Sequence, residues 1–342
     1  MHTRFSLLLI VVCLLSVFTI HAQSEPDVVR VLIGDTSLGV GNTLIASAEG
    51  YFADQNIDAE VVRFTSNSTN SADALTLLLT GEVDVFQSPW TPGLFNALIR
   101  GGVFRAVGVA SYNPLDTCPY AGYFVRAGQG EDFDVESLRG QPVAISSGIA
   151  QYYLDTYLSD FGMSIDDVIP ENIPGSARGE AVANGALELG YVSEPQLSLF
   201  QRELGVELVV GLNEIIPDSS LAVLLFGQRM LEREDDLAVR YLTAYLQGSR
   251  QFNEGPTERN IEIIAPAMEV EPESLLETCW IAMREDGQLN QEFVLDYMMW
   301  LNDHELLDSM IDMEDFYDPS YAEEAYARVQ GMYPEPEATP GS

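Results

Sequence analysis

The chain has 342 residues, 46% of them apolar, with 16 basic residues against 53 acidic and a formal net charge of −37. A field of that sign repels nucleic acid and anionic membranes. Every basic residue is arginine, which excludes chemistry that anchors pyridoxal phosphate through a lysine. The length exceeds one ordinary core and calls for two domains of roughly 100 to 200 residues each.

Arg4 precedes an apolar run from Phe5 to Ile20, and Ile20-His21-Ala22 places a small residue at the expected cut. This is the pattern of a secretory signal peptide over residues 1–22, and it implies a periplasmic or extracellular protein. The run falls short of the ~20 residues that span a bilayer; retained instead of cut, it would be an anchor. Cleavage removes Arg4 and no acid, so the charge becomes more negative still. Cys13 follows Val11-Val12 without the small residue that lipidation requires. Cys118 and Cys279 remain; they can pair in an oxidising compartment, and their separation in sequence carries no geometric information. His304, in the acidic stretch Asn302 to Glu305, is read as solvated, so a Cys/His or Ser/His nucleophilic site is not expected. With one histidine and two distant cysteines, no metal site and no cofactor are expected.

The mature chain opens on the strand DVVRVLIG (Asp27 to Gly34), followed by a helix over Thr43 to Ala53 with Leu44, Ala48 and Phe52 on one face. AEVVRF (Ala59 to Phe64), VDVF (Val83 to Phe86) and FRAVGVA (Phe104 to Ala110) are short β-branched runs. Separated by helix-length segments, they read as parallel strands of an α/β sheet. The helix from Ser71 buries Leu75, Leu78 and Leu79 and stops at Gly81, and another spans Pro92 to Arg100. Asn113-Pro114-Leu115-Asp116 breaks the pattern and marks a crossing. A second domain follows: strands at Tyr120 to Arg126, Pro142 to Ser146, Val168 to Ile173, Leu189 to Pro195 and Gly205 to Gly211, with helices over Gln151 to Phe161, Arg178 to Asn184 and from Pro195. SLAVLLFG (Ser220 to Gly227) turns the chain back toward the first domain. Beyond Gln228 the pattern is helical, at Leu231 to Gln247, Glu273 to Arg284, Gln291 to Leu301 and Tyr321 to Val329, with no further strand. The end is proline-rich and reads as a disordered tail over 331–342.

Several pieces in this order carry a resemblance. Gly50-Tyr51-Phe52, the strand Ile57-Asp58-Ala59-Glu60-Val61, the helix ending Gly81-Glu82-Val83-Asp84, Leu138-Arg139-Gly140-Gln141-Pro142-Val143 and Val192-Ser193-Glu194-Pro195 resemble the substrate-binding proteins of ABC transporters. The group is the type II branch that captures sulfonates, taurine, nitrate or thiamine-pyrimidine precursors such as hydroxymethylpyrimidine. The resemblance implies two α/β lobes joined by two crossings, with the solute held between them. Lobe I would comprise 23–112 and 228–330 and lobe II 113–227. It also implies a membrane permease as partner, a monomer, no nucleic acid and no catalysis.

Carried over by position, the ligand-binding residues would be Thr36 and Ser37 after the first strand, then Gln87, Ser88 and Trp90 after the third. Ser111 and Tyr112 would stand at the crossing, and Ser147, Gly148, Tyr152 and Glu194 in lobe II. Trp90 and Tyr112 can stack a flat ring or serve as packing residues. Of the neighbours Tyr152 and Tyr153, one at most faces a cleft comfortably. Glu194 can read an amine or amidine edge, or cap the helix that starts at Pro195. Arg178 is the candidate for an anionic group. The expected function is capture of a small polar or heteroaromatic solute, a thiamine-pyrimidine precursor first and a sulfonate, taurine or nitrate second. The other readings are an enzyme of pyrimidine-precursor synthesis on the same scaffold and an anchored sensor domain.

Overall fold

The computed structural model describes residues 25–34, 37–64, 68–109, 111–146, 148–233 and 235–333. The leader at 1–22 and the chain end from 334 lie outside them. In chain order the strands are β1 (Asp27–Gly34), β2 (Ile57–Phe64), β3 (Val85–Pro89), β4 (Phe104–Gly108), β5 (Ser111–Tyr112) and β6 (Ala121–Val125). They continue with β7 (Pro142–Ala144), β8 (Ile169–Glu171), β9 (Leu189–Ser193), β10 (Glu207–Gly211), β11 (Ala222–Gly227) and β12 (Ala282–Met283). Two five-stranded sheets result, ordered β2-β1-β3-β11-β4 and β10-β6-β9-β7-β8, with β12 and β5 forming a separate ribbon.

Strand β1 is covered on both faces, with Val29, Val31, Leu32 and Ile33 fully buried, as a central strand of a parallel sheet must be. It pairs in parallel with β2 and β3. The apolar runs read from the sequence as parallel do share one direction. However, β4 does not touch β3: the antiparallel β11 lies between them, with Val223 opposite Ser88 and Leu225 opposite Ala106. This places 222–227 in the first sheet, whereas the sequence reading kept residues up to 227 in lobe II. The run was read as turning back toward the first domain, and its pairing shows that it already belongs to that domain's sheet.

In the second sheet β7 is parallel to β8 and β9, and β6 is antiparallel to β9 and β10. The chain passes from the first sheet to the second after β4 and returns after β10. The two passages run side by side: the Asn113 N–H donates to Ser219 O at 2.9 Å, and the Asp218 N–H donates to Asn113 O at 2.8 Å.

Helices cover both sheets. Leu237–Phe252 lies across Gly41–Ala48 so closely that a Cβ on Gly248 would stand 2.2 Å from Asn42 O. Gln291–Asp303 packs against Ile149–Ser159 of the second lobe. The expected helix over 43–53 is split at Gly50 (φ +81°), which leaves Ala48 on the surface. Helix Ser68–Leu79 begins three residues before the Ser71 start read from the sequence. Glu273 to Arg284 is not one helix: only Pro272–Leu276 winds, and β12 follows because its backbone pairs with β5 at the crossing. The last helix, Ser320–Met332, extends into the expected tail, and Tyr333 lies under the Arg250 guanidinium.

Cys118, in the outgoing passage, is bonded to Cys279, just before β12. The closed loop contains about 160 residues, so its loss releases considerable chain entropy in the unfolded state. The double substitution C118S/C279S is expected to lower unfolding free energy by about 2–4 kcal/mol in urea titration. A midpoint equal to that of the parent would show that the bond contributes nothing.

Candidate functional site

The parallel strands bring one end of each sheet toward the other. After β1, Ser37 caps the turn Leu38–Val40, and its Oγ lies 2.8 Å from the hydroxyl of Tyr120, the residue just before β6 in the other lobe. The Gly39 N–H donates to the same hydroxyl at 3.3 Å. Gln87 holds Gly39 from behind, donating from Nε2 to its carbonyl at 2.6 Å. Ser111 Oγ lies 3.7 Å from where a Gly39 Cβ would be. Ser37, Gln87 and Ser111, three of the sequence candidates, therefore meet around one glycine, joined by Tyr120, which the sequence reading did not single out. Its position as the first residue of a strand emerging from the crossing was the available signal.

A second meeting point lies at Gly148, before helix Ile149–Ser159. It has φ +80°, and a Cβ there would stand 3.1 Å from Trp90 O and 3.2 Å from the Tyr297 hydroxyl. Only glycine allows the lobes to approach so closely at this backbone angle. Thr36 and Ser147 lie outside the described residues. Ser88 is buried and donates to Pro89 O.

Other candidates take different roles. Trp90 has no exposed surface. Its indole stacks on Phe95 at 6.0 Å, takes the edge of Phe293 at 6.2 Å, and donates from Nε1 to Ser220 Oγ at 3.1 Å. No face is left for a solute ring, because the C-terminal helix supplies aromatic neighbours that β3 alone could not announce. Tyr112 has one face covered by the Arg284 guanidinium at 4.8 Å. Tyr152 turns into a nest of Phe293, Tyr297 and Trp300, where burial pushes its hydroxyl up to about 12. The unpartnered hydroxyl of that pair belongs instead to Tyr153, buried with no hydrogen bond of proper geometry, the Ser219 and Asn113 side chains standing nearest. His304 is half-buried, its ring 4.3 Å from that of Trp300 and its Nδ1 2.8 Å from Trp300 O.

Glu194 is 3% exposed and its oxygens are taken. Oε2 accepts the Ser198 N–H at 3.0 Å, and Oε1 accepts the Ser198 hydroxyl at 2.7 Å and, more distantly, the Cys279 N–H. It thus caps helix Gln196–Leu204, the second of the two roles its position allowed. Burial pushes its carboxyl above the usual range, against the pull of those donors.

Beside it, Tyr191 and Tyr123 stand opposite each other on β9 and β6, rings 5.6 Å apart. Burial raises the hydroxyl pKa of both, and of Tyr120. Tyrosines thus stand along the second lobe where its strands end toward the first. Among the described residues no group of three or more metal-ligating side chains occurs.

Two lobes, twin passages and facing strand ends define the class. The fold is that of the solute-binding proteins of ABC import systems. The ligand-binding component of such a system from Staphylococcus aureus, solved with zinc bound, superposes with a TM-score of 0.70 at 16% identity, covering 87% of this chain and 99% of that one. The periplasmic aliphatic sulphonate binding protein SsuA from Escherichia coli gives 0.69 at 16%, covering 86% and 93%. The desulfurization enzyme DSZB shares the fold at 0.61 and 14%, covering 88% and 99%. The chain belongs to the family described as NMT1/THI5 like, whose model matches residues 39–259. Curated relatives are a 4-amino-5-hydroxymethyl-2-methylpyrimidine phosphate synthase of Candida albicans and the putative binding protein YtlA of Bacillus subtilis. The first is 26% identical over 55% of this chain and the second 22% identical over 88%. The match spans half the length of the synthase and 89% of YtlA. No helix among the described residues is long and apolar enough to cross a membrane.

Two outcomes follow from the geometry. Between the ordinary carboxyl pKa and its raised folded value, Glu194 keeps a proton that the unfolded chain has released, so its contribution to stability is lost as pH rises through that interval. Glu194→Gln is expected to flatten that part of a stability–pH profile; an unchanged slope would show that the carboxyl is not desolvated. Trp90→Phe removes the bond to Ser220 and part of the packing, and is expected to cost about 1–3 kcal/mol of stability while leaving solute affinity within about threefold. A selective loss of affinity at parental stability would return Trp90 to the solute.

Proposed function

We propose that this protein is the exported, monomeric solute-capturing component of an ABC importer, which encloses a small solute between its lobes and presents it to a membrane permease. The observation that carries the reading is the seam itself. Ser37, Gly39 and Ser111 of one lobe meet Tyr120 of the other through polar groups, at the strand ends where α/β folds bind their ligands. The contact residues are proposed to be Ser37, Ser111, Gly148, Tyr120 and Tyr191, with Thr36 and Ser147 adjoining them in sequence.

Binding, with no chemical step, is favoured because the groups at the seam are hydroxyls, backbone amides and aromatic rings. Cys118 and Cys279 are tied to each other, and His304 is engaged with Trp300. The solute is proposed to be a flat heteroaromatic molecule of the pyrimidine-precursor kind. The family and the Candida albicans synthase support this, as do the tyrosines, whose faces suit such a ring. A sulfonate is the second reading, supported by the likeness to SsuA and by the buried arginine discussed below.

Isothermal titration and native mass spectrometry with hydroxymethylpyrimidine, its phosphate and a series of alkane- and arenesulfonates test the reading. One-to-one binding of at least one of these is expected, weakened tenfold or more by Tyr120→Ala. Binding by none of them, or turnover of a pyrimidine by the purified protein, would overturn it.

A further inference from the structure

One arginine of this acidic chain is buried without an acid. Arg178 lies in the first turn of helix Gly175–Ala183 and is 6% exposed. Its Nε donates to Ile173 O at 3.0 Å and its Nη1 to Tyr191 O at 2.8 Å, while Nη2 donates to no described residue. The guanidinium carbon stands 6.0 Å from the centre of the Tyr191 ring. No carboxylate among the described residues lies within 4 Å of it. Arg63 and Arg105, which also have no ion pair among the described residues, keep access to solvent. Burial accordingly lowers the Arg178 pKa from its usual value.

The surroundings explain how the side chain came there. β7 pairs with β9 as far as Ala144 opposite Gly190, and the Arg178 guanidinium takes the Tyr191 carbonyl one residue further along β9. Ligands of open α/β sheets sit at the ends of such strands. Tyr191 itself keeps partial exposure.

A buried charge is stable when it is paired, and here carbonyl dipoles and an aromatic face provide only part of the compensation. By contrast Glu194, the carboxylate nearest the seam, is saturated by its own helix and has little left for a cationic solute. We propose that Arg178 is the anchor for an oxyanion group on the solute, such as a phosphate, sulfonate or carboxylate. Tyr191 lies beside the guanidinium. The inference rests on the reading of the seam as the solute site and narrows it: the ring is held by tyrosine faces, the anion by Arg178.

The test uses the full-length mature protein in buffer free of sulfate and phosphate, titrated with hydroxymethylpyrimidine, its phosphate ester, benzenesulfonate and benzyl alcohol. The parent is expected to bind each anion at least tenfold more tightly than its neutral counterpart. Arg178→Met should abolish that preference while leaving affinity for the neutral partner within about threefold. Arg178→Lys, which keeps the charge and loses the planar fork, should retain part of it. Melting temperatures of both variants separate loss of recognition from loss of fold. Neutral solutes bound as tightly as anions by the parent, or an anion preference that survives Arg178→Met, would overturn the inference and leave the proposed function standing. Binding of no probe would overturn both.

Discussion

The rest of the molecule depends on β11 lying antiparallel between β3 and β4. Both of its edges are hydrogen-bonded, so the first sheet cannot close until the chain has made the second sheet and come back. That single pairing makes the first lobe discontinuous and forces two passages to run together, bonded to each other through Asn113, Asp218 and Ser219. It also fixes which strand ends face across the seam. A ligand site made of strand ends is thus a consequence of topology, with the particular side chains added at the positions topology provides.

The C-terminal third then bridges the two lobes. Helix Gln291–Asp303 belongs to the part of the chain that follows the first sheet, yet Phe293, Tyr297 and Trp300 receive Tyr152 of the second lobe. The Trp300 Nε1–H donates to Asp155 Oδ2 at 2.6 Å. The disulfide ties the outgoing passage to the segment just before this helix. Any separation of the lobes must either unpack this aromatic face or carry the helix along with the second lobe. Both courses unpack aromatic faces, since Phe293 and Tyr297 also meet Trp90 and Phe95 of the first lobe.

Charge is distributed with a consistent logic. Asp84, 1% exposed, is met by Arg30 and Arg229 and by the backbone N–H of Arg30, so its burial is compensated several times over. Most other arginines lie in surface pairs, each of which contributes little. Arg178 departs from this pattern: in a protein with 53 acids it is buried with no carboxylate partner among the described residues.

Much of the framework was legible in the sequence because strand and helix periods are local. The strands Asp27–Gly34 and Leu189–Ser193, the helix begun by Pro92 and the stop at Gly81 all lie where their residues placed them, since β-branched runs, proline and glycine act on the nearest turns of chain. The seam was legible as a set of positions, and Ser37, Gln87 and Ser111 do converge. What the sequence left open was decided by partners distant along the chain. Trp90 went to the core because Phe293 and Phe316 cover it, and β12 formed because β5 offered an unpaired edge. Local pattern determined which elements exist; only tertiary packing decided which polar groups are consumed inside the protein and which, Arg178 above all, remain without a counter-charge, because a side chain's partners are set by the approach of segments a hundred or more residues apart.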